Sequence, residues 1–180
     1  MLVGCAQAPS KESESKPEPV QPLPALPATL INDPDCPGCL AVTLTLRPDG
    51  SYLVRDQLGA SEFYDFGRWK YAEGTLELAG GREAPRRYRL KDLRQASQVE
   101  PLRGPFRMIG FYDGATFKEC RTGLAWPLAQ TRAADALQLE YAKRVEKPVL
   151  VALDAQFEGA PETLRVLRPA SVLDARACPS

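Results

Sequence analysis

From Cys39 onward, apolar and polar residues alternate with a period of two. Leu40, Val42, Leu44 and Leu46 interleave with Ala41, Thr43, Thr45 and Arg47, the pattern of a strand with one face buried and one in water. Pro48-Asp49-Gly50 predicts a turn, and residues 51–56 the returning strand. The pattern repeats over residues 63–71, 75–78, 88–91 and 106–112, with Glu73-Gly74 as a further turn. Short strands at about ten-residue spacing predict an up-and-down meander that closes into a small antiparallel barrel. Gly67, inside a strand, fits a barrel bend or bulge.

The last third reads differently. Residues 117–120 form a short strand, and residues 133–145 have helical composition, with Leu137 and Tyr141 on one face and Pro148 beyond. Residues 149–157 and 164–173 are strands, the second interrupted by Pro169. The expected class is mainly β: a meander barrel followed by a small OB-like β domain carrying one helix. The expected divisions are 1–30 as leader and tether, 31–114 as the N-terminal barrel and 115–180 as the C-terminal domain.

Residues 6–29 show no amphipathic period and are rich in Pro, Ser, Glu and Lys. Such a segment cannot bury enough apolar surface to offset its ordering entropy. As an extended polyproline tether it reaches at most about 75 Å. Ahead of it, Leu2-Val3-Gly4-Cys5 looks like a bacterial lipobox, which makes Cys5 the lipidation candidate. The residues before Cys5 lack the charged and apolar regions of an export signal, so such a signal is expected to precede them. Lipid, tether and folded unit together resemble the layout of bacterial envelope lipoproteins, and by that resemblance Ala6 after the cysteine implies the outer membrane.

Formal net charge is zero, which removes the electrostatic footprint of a nucleic-acid binder. Histidine is absent, so Ser-His-Asp, Cys-His and HExxH chemistry is excluded, and no catalytic constellation emerges: the chain reads as a non-enzyme. Arg82, Arg86, Arg87, Arg89, Lys91 and Arg94 form a basic run, read as one solvated face of a strand rather than a partner patch. Phe63, Phe66 and Trp69 read as barrel core.

The other four cysteines are Cys36, Cys39, Cys120 and Cys178. Cys120 and Cys178 bracket the small C-terminal domain. A disulfide closing that loop of about 59 residues is worth roughly 4 kcal/mol in the chain-entropy model, and the pair reads as structural. Cys36-Pro37-Gly38-Cys39 precedes a strand, not a helix, which rules out a thioredoxin-like site. Pro37-Gly38 suits the centre of a type II turn, with flanking Cα atoms within about 7 Å, and a disulfide needs about 4.4 to 6.8 Å. Its small loop is worth only about 2 kcal/mol, so the bond can be lost without unfolding the barrel. A disulfide is favoured over a metal clip. Cu(I), which can be held by two thiolates, leaves Cys36 and Cys39 as alternative ligands.

The set Asp35-Cys36-Pro37-Gly38-Cys39, Leu44-Thr45-Leu46 and Pro48-Asp49-Gly50-Ser51-Tyr52, continued by Gly67-Arg68-Trp69 and residues 74–78, resembles the NlpE-type (copper-resistance) envelope lipoproteins over about residues 32–114. Residues 115–179 resemble the OB-type domain of related lipoproteins. The resemblance implies a lipocalin-like barrel with the CxxC at its mouth. It also implies an outer-membrane lipoprotein facing the periplasm, which reports surface contact, trafficking faults or copper and redox stress to an inner-membrane sensor kinase. On that reading Cys36–Cys39 is a redox- or copper-responsive disulfide. Two alternatives stand beside it: a Cu(I)-binding periplasmic protein, and a lipocalin-like module for a small apolar ligand, although side chains fill barrels of this size. Exchange of domains with a second copy, giving a homodimer, is left open by the sequence.

Overall fold

The computed structural model describes residues 20–32, 39–81, 85–159 and 162–179. Cys5 and Cys36 lie outside this range, as do residues 1–19 of the predicted leader and tether.

The first sheet holds β1 (Ala28–Ile31), β2 (Ala41–Leu46), β3 (Ser51–Leu58), β4 (Ser61–Ala72), β5 (Thr75–Ala79), β6 (Arg86–Arg89) and β7 (Arg94–Gln95). Their order is β6-β5-β4-β3-β2-β1-β7, with every pairing antiparallel. The meander from β2 to β6 is driven by the period-two pattern and its tight turns. At the β2–β3 turn, Gly50 sits at φ 80° and its N–H donates to the Arg47 carbonyl at 3.2 Å. The Asp49 carboxylate accepts from the Ser51 N–H at 2.9 Å and from the Ser51 hydroxyl at 2.6 Å. These are the conformations that Pro-Asp-Gly favours. After β6 a short 3-10 turn, Leu90–Asp92, swings β7 onto β1 and leaves a nearly closed barrel.

The second sheet holds β8 (Phe106–Tyr112), β9 (Thr116–Glu119), β10 (Ala125–Pro127), β11 (Val149–Glu158), β12 (Thr163–Val166) and β13 (Ser171–Val172), in the order β10-β9-β8-β11-β12, with β13 on β11. A parallel bridge from Leu128 to Leu164 ties the β10 end to β12. The helix α1 (Arg132–Ala142) lies between β10 and β11, and Thr131 caps it by accepting from the Ala134 N–H at 3.1 Å.

Four details differ from the sequence reading. First, β8 is not a barrel strand: it pairs along its whole length with β11, so the sheets divide ahead of Phe106 rather than at residue 114. Alternation within a strand says which face is buried, not which sheet recruits it. Second, β1 begins inside the segment read as tether and runs past its end, and Leu23 and Leu26 before it pack on the barrel core. Third, α1 ends at Ala142, well before Pro148, because the next residue of its apolar stripe, Val145, is 98% exposed and has nothing to pack on. Fourth, β2 is buried on both faces.

The fourth difference has a non-local cause. The connector between the sheets runs across the outer face of β1 and β2, where the Leu102 N–H donates to Thr45 Oγ1 at 2.9 Å. Thr45 also shares a 3.3 Å hydrogen bond with Thr29. The larger core cluster then joins Leu53 and Phe66 of the first sheet to Phe106, Met108, Phe117, Trp126 and Phe157 of the second. The smaller cluster, with Leu44, Leu46, Leu76 and Leu78, fills the barrel.

Candidate functional site

Cys39 is disulfide-bonded and stands at the start of β2. The Asn32 side chain fastens the residues that follow it: Nδ2 donates to the Leu40 carbonyl at 3.2 Å, and Oδ1 accepts from the Val42 N–H at 2.5 Å. The Leu40 backbone is therefore held to Asn32.

Leu40 forms part of the barrel mouth, a cavity of about 320 Å³ lined by Leu40, Asp56, Leu58, Phe63, Arg86 and Tyr88. Asp56 pairs with Phe63 across β3 and β4, and Leu58 pairs with Ser61 at the hairpin end, so Asp56, Leu58 and Phe63 share the inner face. The apolar lining continues beyond the rim: Leu40 is 43% exposed, Leu58 50% and Phe63 60%. Phe63 thus departs from the core role read in the sequence, whereas Phe66 is fully buried. Trp69 is half-buried and donates from Nε1 to the Arg47 carbonyl at 3.2 Å. At the cavity floor the buried Asp56 carboxylate meets Arg86 in two contacts of 2.9 and 2.7 Å.

Deeper in, the Tyr52 ring lies against Gly67 and Gly81. A Cβ on Gly67 would stand 2.7 Å from the ring and 2.2 Å from the Ala79 carbonyl, and one on Gly81 would stand 2.4 Å from the Asp65 carboxylate. Burial, with the nearby Asp65 charge adding to it, pushes the Tyr52 hydroxyl up to about 12.

A second polar group fills the seam between the sheets. Arg121 bonds Asp65 at 3.2 Å and stacks 4.3 Å over the Phe66 ring. The Arg68 Nε donates to the Thr122 carbonyl at 2.6 Å. Arg47 emerges from β2 into the same seam, contacts Glu162 and Asp49, and is 2% exposed. Burial lowers its pKa, opposed by the Asp49 charge. Cys120 precedes Arg121 and is bonded to Cys178 with Cα atoms 5.6 Å apart. That bond closes the turn after β9 onto the chain end.

The structure therefore sets Cys39 next to Leu40, which lines the mouth, and joins Cys120 to Cys178, while Cys5 and Cys36 lie outside the described residues. Of the basic run, Arg86 serves the mouth, Arg87 pairs with Glu77 at 2.8 Å, and Arg82 is outside the described residues. Sequence reading did not single out Asp56, Leu58 or Arg47. The one local signal was that Asp56 and Leu58 extend the inner-face alternation of Tyr52 and Val54 past the point where a core needs it. Among the described residues no group of three or more His, Cys, Asp or Glu side chains could hold a metal. No helix among them is long and apolar enough to cross a membrane.

Residues 96–172 match the family model described as the NlpE C-terminal OB domain. Lipoprotein NlpE of Escherichia coli (strain K12) is 27% identical over 208 aligned residues, which cover 93% of this chain and 86% of the relative. The crystal structure of the Cpx pathway activator NlpE from Escherichia coli aligns with a TM-score of 0.38 at 24% identity, covering 85% of this chain and 97% of that one.

Proposed function

We propose that this chain is an NlpE-type protein: a non-enzymatic lipoprotein of the bacterial outer membrane that faces the periplasm and reports envelope stress. Cys5 carries the lipid, and the output passes to an inner-membrane sensor kinase. Cys36 and Cys39 form the responsive disulfide. The observation that supports this reading is that the disulfide-bonded Cys39 immediately precedes Leu40, an exposed residue lining the mouth cavity. The similarity to Lipoprotein NlpE of Escherichia coli and to the NlpE C-terminal OB domain supports this class of protein.

Making or breaking a bond at Cys39 shifts Leu40 and so changes the surface the mouth presents. The strand ladder of β2 on β1 and β3 holds the rest of the barrel meanwhile. Copper reaches the same site by a different route. Cu(I) needs thiolates, so Cys36 and Cys39 become its ligands only after reduction. The copper-binding alternative therefore predicts stoichiometric Cu(I) uptake by the mildly reduced protein, abolished by serine at both positions.

The test is the C36S/C39S variant in the full lipidated chain, with an envelope-stress transcriptional reporter challenged by copper and by a mild reductant. The expected result is an altered response with an unchanged unfolding transition. A wild-type response overturns the responsive role, and global unfolding makes the bond structural.

A further inference from the structure

Arg47 follows the end of β2, and both of its backbone groups are fixed. Its N–H donates to the Ser51 carbonyl at 3.0 Å, and its carbonyl accepts from the Gly50 N–H and from Trp69 Nε1, each at 3.2 Å. From that root the side chain, 2% exposed, borders a cavity of about 130 Å³ between the two sheets. The other walls are Thr45 of β2, Leu102 and Arg103 of the connector, and Phe157 and Glu158 of β11. Pockets for drug-sized ligands begin at roughly 300 Å³, which this space does not reach. A water takes up only about 30 Å³, so the cavity has room for an ion or a very small molecule.

The charges around this cavity are unevenly matched. Glu158 stands 3.6 Å from Arg165. Asp49 and Glu162 both meet Arg47 at Nη2. The buried Nε and Nη1 of Arg47 have no acceptor among the described residues, and the exposed Arg103 guanidinium makes no ion pair among them. A buried donor without an acceptor is costly, and such a group asks for a partner. Guanidinium donors are matched best by the oxygens of a carboxylate or a phosphate. Glu162 already supplies such an oxygen to one nitrogen, and its side chain is 42% exposed, so it can withdraw into water.

We propose that this cavity binds a small oxyanion, a carboxylate or a phosphate, held by Arg47 and Arg103, with Glu162 as its internal competitor. Phe157 covers one face of the Arg47 guanidinium at 3.8 Å and leaves its edges for hydrogen bonding. An anion held by both arginines joins the barrel to the connector that leads into β8. Its binding therefore stabilises the folded chain in proportion to its occupancy. The site uses none of the cysteines and does not depend on the redox reading.

The experiment titrates the purified full-length chain with sodium phosphate and, separately, with sodium acetate, against sodium chloride at matched ionic strength. It reads the thermal unfolding midpoint and the Arg47 Nε–H resonance by NMR. The expected result is a saturable rise in the midpoint together with a shift of that resonance, for phosphate or for acetate, and neither for chloride. Whichever salt acts at the lower concentration names the class of oxyanion. R47M and R103Q should each weaken the apparent affinity at least tenfold, and E162Q should tighten it at least threefold. R176Q, at the exposed chain end beside Glu146, is the control and should leave it unchanged. Equal effects of all three salts, affinity kept in R47M or R103Q, affinity lost in E162Q, or a matching loss in R176Q overturns the proposal. Arg103 is exposed, so R103Q decides the matter by itself should R47M not fold.

Discussion

The Arg47 guanidinium lies 3.8 Å over the ring of Phe157, so a charged side chain of the barrel is stacked on an aromatic one of the OB unit. Its Nη2 reaches Asp49 at 3.4 Å and contacts Glu162, while Nε and Nη1 find no protein acceptor among the described residues. Asp49 in turn accepts from the Trp126 Nε1 at 3.4 Å, so the same carboxylate serves both units. The arrangement trades desolvation of a cation against stacking and one ion-paired edge.

We predict that R47M is neutral or stabilising by about 1 kcal/mol, because methionine keeps the contact with Phe157 and removes buried donors that lack acceptors. R47A should lose roughly 2 to 3 kcal/mol through lost packing. Denaturant unfolding of both variants decides it. If R47M loses as much as R47A, the charge itself holds the seam.

Gly67 is a close-approach glycine. G67A must displace either the Ala79 carbonyl or the Tyr52 ring, and the carbonyl is fixed in the β4–β5 ladder. The expected loss is about 2 to 4 kcal/mol, read as a lowered unfolding midpoint. G59A, at a hairpin turn with no atom within 4 Å of its Cβ, tests space separately: it has only the strain of φ 59°.

Tyr52 gives the stability an alkaline limb. Its folded pKa is about 12 and its unfolded value is 10.0, so the folded state holds the proton more tightly. That contribution is complete below about pH 10 and is lost as pH rises through about 12, amounting to about 2 to 3 kcal/mol. In Y52F the limb disappears. Unfolding free energy measured from pH 8 to 12 should therefore fall less steeply in Y52F than in wild type, and parallel curves would refute the assignment.

The Cys120–Cys178 bond closes a separation of 58 residues, worth about 4 kcal/mol in the chain-entropy model. It also fixes the turn whose Arg121 and Thr122 grip β4. C120S/C178S should destabilise the OB unit by about that amount and raise amide exchange in the turn and in β4 around Asp65 and Phe66. Exchange confined to the OB unit would show that the seam does not depend on the bond.

The α1 cap gives the smallest expected effect. T131A removes the acceptor for the Ala134 N–H and should cost about 1 kcal/mol, with T131S close to wild type. Thermal unfolding of the pair separates the lost hydroxyl from lost packing.

Much of this molecule is written locally. The alternation of Leu40 to Leu46, the Pro48-Asp49-Gly50 turn and the repeats through Leu78 determine the meander, because strand pairing across a tight turn depends only on neighbours in the chain. The same local chemistry places a cysteine at the head of β2. What the chain could not announce by itself is what lies on the other side of each strand. Arg47 carries the pattern of a solvated residue and is buried, because the connector and Phe157 arrive from far along the sequence. Phe63 carries the pattern of a core residue and is exposed, because β3 and β4 run past the end of the barrel. Phe106–Tyr112 reads as one more barrel strand and is claimed by β11, whose pairing with it is a long-range contact. Period and turn chemistry set which face of a strand is apolar; only the tertiary structure decides what covers it, since burial is a property of the neighbours that arrive and not of the segment that waits for them.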